Sequence, residues 1–155
     1  MTAKKRPRLA FWLTVALAAL GSALGVYHLF EVARTVTSPE YADMLGGLAG
    51  GLYLVFDYFA MSLPICLLLF GALLLDLLWS RALGRLWGFS VLAACGVFLI
   101  CGMLIVIVDS SALSVSLNLA ARAIAEAVTA VALVHSVTGK HTVAQGENDN
   151  SPEAN

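Results

Sequence analysis

LWGFSVLAACGVFLICGMLIVIV, residues 86–108, contains no Asp, Glu, Lys, Arg or His. As a helix rising 1.5 Å per residue it would be roughly 35 Å long, enough to cross a hydrocarbon core of about 30 Å. Beyond Trp87 at its start, only Ser90, Cys95 and Cys101 offer polar atoms. A run this apolar has no hydrophilic face to show to water, so its surroundings must be lipid or other apolar helices.

The same reading extends outward in both directions. Upstream, SRALGR at 80–85 is a short basic connection, preceded by a long apolar stretch from Met44 to Trp79. Downstream, Asp109, Ser110 and Ser111 form a tight turn whose oxygens suit the start of a further helix over 112–137. A fourth apolar run spans 9–30, behind the basic tail of residues 1–8. Its apolar core is too long for a typical signal peptide, which favours an uncleaved anchor. The expected architecture is an all-α membrane protein, a four-helix antiparallel bundle with spans near 9–30, 48–79, 86–108 and 112–137. Residues 138–155, ending in QGENDNSPEAN, read as a disordered polar tail.

Composition agrees. The chain is 60% hydrophobic and 12% charged, with mean hydropathy +0.88, whereas soluble domains carry about 25% charged residues to cover their surface. The formal net charge of −1 gives no overall attraction to a polyanion, and the basic cluster Lys4, Lys5, Arg6 and Arg8 abuts a membrane span. Topology explains that cluster more simply than nucleic-acid binding does.

The second span is the awkward one. Residues 44–79 exceed the length of one upright helix, open with GGLAGG at 46–51 and contain Pro64. One arrangement is a long, tilted helix kinked near Pro64. The other is a short interfacial or re-entrant piece over 41–56 followed by a span from Asp57 to Trp79. The first is slightly favoured.

Span four has a polar stripe. At 100° per residue, Ser114, Asn118, Arg122 and Glu126 advance by only about 40° each, and Ser111, Thr129 and Ser136 fall among them. Leu117, Ile124, Val128 and Val131 lie opposite. Arg122 is about ten residues, or roughly 15 Å, into the span, near the bilayer midplane. A guanidinium there costs about 2.5–3.5 kcal/mol on insertion scales and stays protonated, so it needs an anion. Glu126 is one turn away on the same helix, and Asp57 has matching depth if the second span is one long helix. Tyr53, one turn from Asp57, is a candidate partner for that carboxylate.

Two carboxylates beside one arginine leave a local charge of −1, so one acid is a candidate to bind and release a proton or cation. The plainer alternative is a buried ion network that fixes helix register, and it carries the greater weight for so small a chain. Gly21, Gly25 and His28 share a face of span one, and GSALG at 21–25 is a GxxxG packing motif. His28 reads as an interfacial residue of that packing face, too far from His135 to clamp a haem with it. Asp76 suits a capping or snorkelling role. Cys66, Cys95 and Cys101 form no CxxC and read as small apolar residues.

No cofactor, metal site or catalytic motif is expected: Walker, HExxH and Ser-His-Asp patterns are absent from the sequence. The leading expectation is an accessory or structural membrane subunit acting through helix packing, in a homo-oligomer or a larger membrane complex within the lipid bilayer. The runner-up is a small proton- or ion-coupled transporter using Asp57, Arg122 and Glu126. Alanine- and leucine-rich spans with short connections point to a bacterial inner membrane.

Orientation follows from positive charge. The tail, the 80–85 connection and Lys140 hold seven of the nine Lys and Arg residues, so these segments, and both termini, are expected in the cytoplasm. Single cysteines at 36 and 83, in a background freed of the native three, test this on intact cells with a membrane-impermeant maleimide. Labelling is expected at 36 and not at 83; the opposite pattern contradicts the orientation.

Overall fold

The computed structural model describes residues 8–80, 83–107 and 111–148. All the regular structure among them is helical. Helix α1 covers Arg8–Thr37, α2 is a single turn at Pro39–Ala42, and α3 covers Gly47–Asp57. A π-helical turn at Tyr58–Ser62 joins α3 directly to α4, Leu63–Leu75, and a second π-helical turn follows at Asp76–Ser80. Helices α5, Arg85–Ile107, and α6, Ala112–Asn148, complete the chain. Among the described residues four helical stretches are long and apolar enough to cross a membrane: Leu9–Thr37, Gly47–Trp79, Arg85–Ile105 and Ala112–Thr138. The chain has the build of a multi-pass membrane protein.

Local chemistry accounts for the breaks. Ser38 is extended and Pro39 occupies the first turn of α2, where its missing N–H is not needed. Gly47 has φ of +65°, a left-handed conformation that a side chain would strain. The π turn lies just before Pro64. Proline has no N–H to return to the carbonyl four residues back, and its ring crowds that carbonyl. The Leu63 N–H bonds the Tyr58 carbonyl five residues back, which widens the turn at this place. Ser111 starts α6: its hydroxyl accepts the Ser114 N–H at 3.3 Å, while Ser114 Oγ donates to the Ser111 carbonyl at 2.9 Å. The other two residues of the expected turn, Asp109 and Ser110, lie outside the described residues.

Two boundaries differ from the sequence reading, and the second span follows the longer of its two alternatives, one continuous helical run. Helix α1 runs seven residues past position 30, because Glu31–Thr37 continue the helix once it is nucleated. The second span is a single run of helix, with Gly47–Asp57 part of it, and α2 stands apart as the short piece. Helix α6 continues to Asn148, so the backbone of 138–148 is helical where a disordered tail was expected. Extension of an existing helix adds one hydrogen bond per residue without a new nucleus. The basic tail at 1–7 and residues 149–155 lie outside the described residues.

Packing forms two apolar clusters. Val32, Leu45, Leu54, Val115, Leu119 and Ala123 gather where α1 finishes and α3 and α6 begin. Ala18, Ile65, Leu69, Ala72, Leu73, Trp87, Val91, Ala132 and Leu133 belong to a second cluster. Helix α5 is the least buried of the four spans, in keeping with how few polar side chains it carries. On α6, Leu117, Ile124, Val128 and Val131 are exposed outward, whereas Arg122, Glu126 and Thr129 are buried.

Between the two clusters α1 meets α6 at Gly25. A Cβ there would stand 3.0 Å from Glu126 Cβ and 3.1 Å from the Glu126 backbone, so the approach requires glycine. Gly71 and Gly96, by contrast, have nothing within 4 Å of an added Cβ. Gly25→Ala is therefore expected to destabilise the protein by about 1–3 kcal/mol. Gly71→Ala and Gly96→Ala should be neutral or stabilising by up to about 1 kcal/mol through helix propensity. Thermal unfolding of the three variants in detergent measures the contrast, and equal effects at all three positions would remove the close approach from the account.

Candidate functional site: a buried charge cluster

Four ionisable side chains meet between the apolar clusters. Asp57 is the last residue of α3, Arg122 and Glu126 are one turn apart on α6, and His28 belongs to α1. None is more than 5% exposed. Their depth follows from position along the helices: His28 is nine residues before the end of α1, Asp57 ten after the start of α3, and Arg122 ten after the start of α6. At 1.5 Å per residue all three lie roughly 15 Å from the same end of the bundle.

His28 is the centre. Its Nδ1 lies 2.5 Å from Glu126 Oε2, and its Nε2 lies 3.1 and 3.2 Å from the two oxygens of Asp57. One ring therefore ties α1 to α6 on one side and to α3 on the other. Arg122 completes the cluster. Its Nη2 is 2.9 Å from Asp57 Oδ2, in ion-pair range although not along an N–H direction. Its Nη1 donates to Ser62 Oγ at 3.0 Å, and its Nε donates to Asn118 Oδ1 at 2.9 Å. Asn118 in turn donates from Nδ2 to the Cys101 carbonyl on α5 at 3.1 Å. The guanidinium carbon lies 5.5 Å from the centre of the Tyr58 ring, which stacks on Phe98 of α5 at 4.4 Å. Both Tyr58 and Ser62 belong to the π turn, so that irregular turn and α6 together hold the arginine.

The sequence-derived network is rearranged in three ways. Asp57, Asn118 and Arg122 come together, and Glu126 lies in the same cluster. No ion pair joins Arg122 to Glu126 among the described residues; Glu126 faces His28 instead. Tyr53 does not reach Asp57: its hydroxyl is 3.4 Å from Thr35 Oγ1. His28, read as an interfacial residue beside Gly21 and Gly25, is fully buried and is the bridge of the cluster. The reason is the length of α1. With the span ended at residue 30, His28 falls at the membrane surface; with the helix running seven residues further to Thr37, it lies about two turns deeper. Gly21 and Gly25 stay at packing contacts, Gly21 against Leu69 and Gly25 against Glu126. Tyr58 and Ser62 carried no signal in the sequence, because only the π turn aims them at Arg122.

Two atoms of the cluster are buried without a hydrogen bond: Arg122 Nη2, which has its ion-pair contact with Asp57, and Glu126 Oε1, which has neither. A pocket of about 270 Å³ between α3, α5 and α6 is lined by Gly51, Leu54, Cys101, Ser114 and Asn118 among others, and so reaches the residue that holds the Arg122 Nε. Among the described residues no group of His, Cys, Asp and Glu is arranged to hold a metal ion. Asp76, well away from the cluster in sequence, accepts the Leu83 N–H at 2.9 Å and so braces the entry to α5.

Searches against protein-family models, curated proteins and solved structures returned no match to this chain. The function must be argued from the cluster itself.

Removal of one member tests the network. Arg122→Leu leaves two acids and one histidine with a net negative charge, and is expected to cost about 3–5 kcal/mol, the usual penalty for stranding a buried charge. Arg122→Leu combined with Asp57→Leu keeps the balanced His28–Glu126 pair, and should recover most of that loss. Thermal unfolding in detergent checks both. A double variant no more stable than the single one contradicts the Arg122–Asp57 pairing.

Proposed function

We propose that this chain is a small proton-coupled membrane carrier whose proton-binding centre is the buried cluster. The observation that carries the reading is His28, with a carboxylate against each ring nitrogen. A histidine changes charge in the physiological range, and ionisable groups buried in a membrane span are costly unless they serve a role. The pocket that reaches Asn118 supports an access route from one face of the bundle toward Arg122. In this reading the four spans alternate in direction in a bacterial inner membrane, both termini are cytoplasmic, and the second span bends at the π turn before Pro64.

A second reading has its own support. The cluster is almost wholly shut off from solvent, and Gly25 brings α1 hard against α6 beside it. Those are the features of a register lock, in which the chain serves as an accessory or structural subunit of a homo-oligomer or larger membrane complex and its charges never titrate.

Proton flux separates the two. Purified protein in liposomes loaded with a pH-sensitive dye is expected to dissipate an imposed pH gradient at least about tenfold faster than the His28→Gln variant. The Arg122→Leu, Asp57→Leu double variant is expected to fold and to carry no flux. Wild-type liposomes indistinguishable from protein-free ones, with and without a membrane potential, would favour the structural reading.

A further inference from the structure

The contacts of His28 fix a proton count. An imidazole ring has two nitrogens, and a neutral ring donates from only one of them. Here both face carboxylate oxygens, Nδ1 toward Glu126 and Nε2 toward Asp57. Two attractive contacts therefore need one proton beyond neutral histidine and two carboxylates. That proton sits either on the ring, as imidazolium between two carboxylates, or on Glu126, as a carboxylic acid donating to Nδ1. Both arrangements contain the same atoms, and with Arg122 both are neutral overall.

The surroundings favour Glu126 as the residue that depends on this proton. Asp57 has a second cation, the Arg122 guanidinium at 2.9 Å. Among the described residues Glu126 pairs with no cation but His28, and its Oε1 has no hydrogen-bond partner. An ionised Glu126 would leave a buried charge half unsatisfied, which a neutral acid avoids. The groups that face the ring are thus Asp57 from α3 and Glu126 from α6, with Arg122 of α6 behind Asp57. Tyr58 of the π turn lies against Arg122 and Cys66 of α4 is buried, and neither side chain ordinarily carries charge at neutral pH.

We propose that the cluster binds a single exchangeable proton, and that its release opens the His28–Asp57 contact while the His28–Glu126 contact remains. This rests on the proton-coupled reading above and names the moving joint of that site. When the proton leaves, the cluster has a net charge of −1 and the neutral ring keeps one N–H. Glu126, the carboxylate without another cation, takes it. The bare Nε2 lone pair then faces Asp57, and the two repel. Asp57 sits at the junction of α3 with the π turn, an irregular turn whose hydrogen bonds can shift register. The second span is therefore the part that moves away from α1, and α1 stays on α6. The sign is definite: protonated is closed, deprotonated is open.

The test is a distance measured against pH. Spin labels at exposed Leu48 on α3 and at Phe30 on α1 report the joint, and labels at Phe30 and Leu113 on α6 report the contact that should not move. The background replaces Cys66, Cys95 and Cys101 by alanine. In liposomes the α1–α3 distance is expected to lengthen and broaden as pH rises, with the α1–α6 distance constant. Glu126→Gln supplies the decisive variant. Its amide can donate to Nδ1 with no added proton, while His28 Nε2–H donates to Asp57 and Arg122 balances Asp57. That variant is expected to remain closed at every pH and to give a flat α1–α3 distance. Retention of the wild-type pH response in Glu126→Gln overturns the proposal, as does a wild-type change in α1–α6 instead of α1–α3. If the distances do not move with pH and yet proton flux persists, the joint is wrong and the carrier reading stands. If the distances switch as stated but no flux is found, the joint is right and the carrier reading fails.

Discussion

An arginine in the middle of a membrane span cannot shed its charge, and the rest of this structure is arranged around that fact. Arg122 lies about 15 Å from the end of the bundle, where water is not at hand. Its Nε donates to Asn118 on its own helix and its Nη1 to Ser62 in the π turn, while Nη2 lies within ion-pair range of Asp57 at the end of α3. The aspartate that neutralises it creates a second demand, since Asp57 also faces His28, and His28 faces Glu126. The chain of contacts ends at the unpartnered Oε1 of Glu126. Three spans are joined through groups that would be costly to separate in lipid.

The apolar parts of the bundle place that cluster. Small residues let α1 approach α6, with Gly25 directly over the Glu126 backbone. Side chains of different size close the two ends, the larger cluster including Trp87 and Leu69 and the other including Leu119 and Val115. The π turn adds what a regular helix could not. By turning Tyr58 and Ser62 toward α6, it provides a ring face and a hydroxyl for the guanidinium at the point where Pro64 already weakens the helical hydrogen bonding. An irregularity forced by proline is thereby placed next to the charged groups, where π turns are often found in functional sites.

Much of this was legible in the sequence. Four apolar runs of spanning length, and a polar stripe at 40° intervals on span four, state the architecture and the inward face of α6 without reference to coordinates. The depth match of Arg122 and Asp57 also follows from counting residues. His28 reads as interfacial when the charged residues Glu31 and Arg34 are taken to end span one, whereas α1 carries both of them on to Thr37. Tyr53 is the tyrosine that a regular turn places beside Asp57, and nothing in the sequence singles out Tyr58. One regular turn separates Tyr53 from Asp57, whereas the route from Tyr58 to Arg122 passes through a π turn that has no sequence signature. The choice of partner for Glu126 depended on tertiary packing at Gly25, which brings in a histidine from a helix nearly a hundred positions away.

The central claim is that one histidine ring bridges two carboxylates inside the bundle. Solid-state nuclear magnetic resonance of protein in lipid, with nitrogen-15 in the three histidines and His28 assigned by its loss in His28→Gln, observes that ring directly. The account predicts two His28 nitrogen resonances, both displaced by hydrogen bonding, with the Nδ1 proton far downfield as in short N–H–O bonds and slow to exchange with deuterated water. A His28 spectrum like that of free histidine, with a rapidly exchanging ring proton and the signature of a water-exposed tautomer mixture, would contradict it.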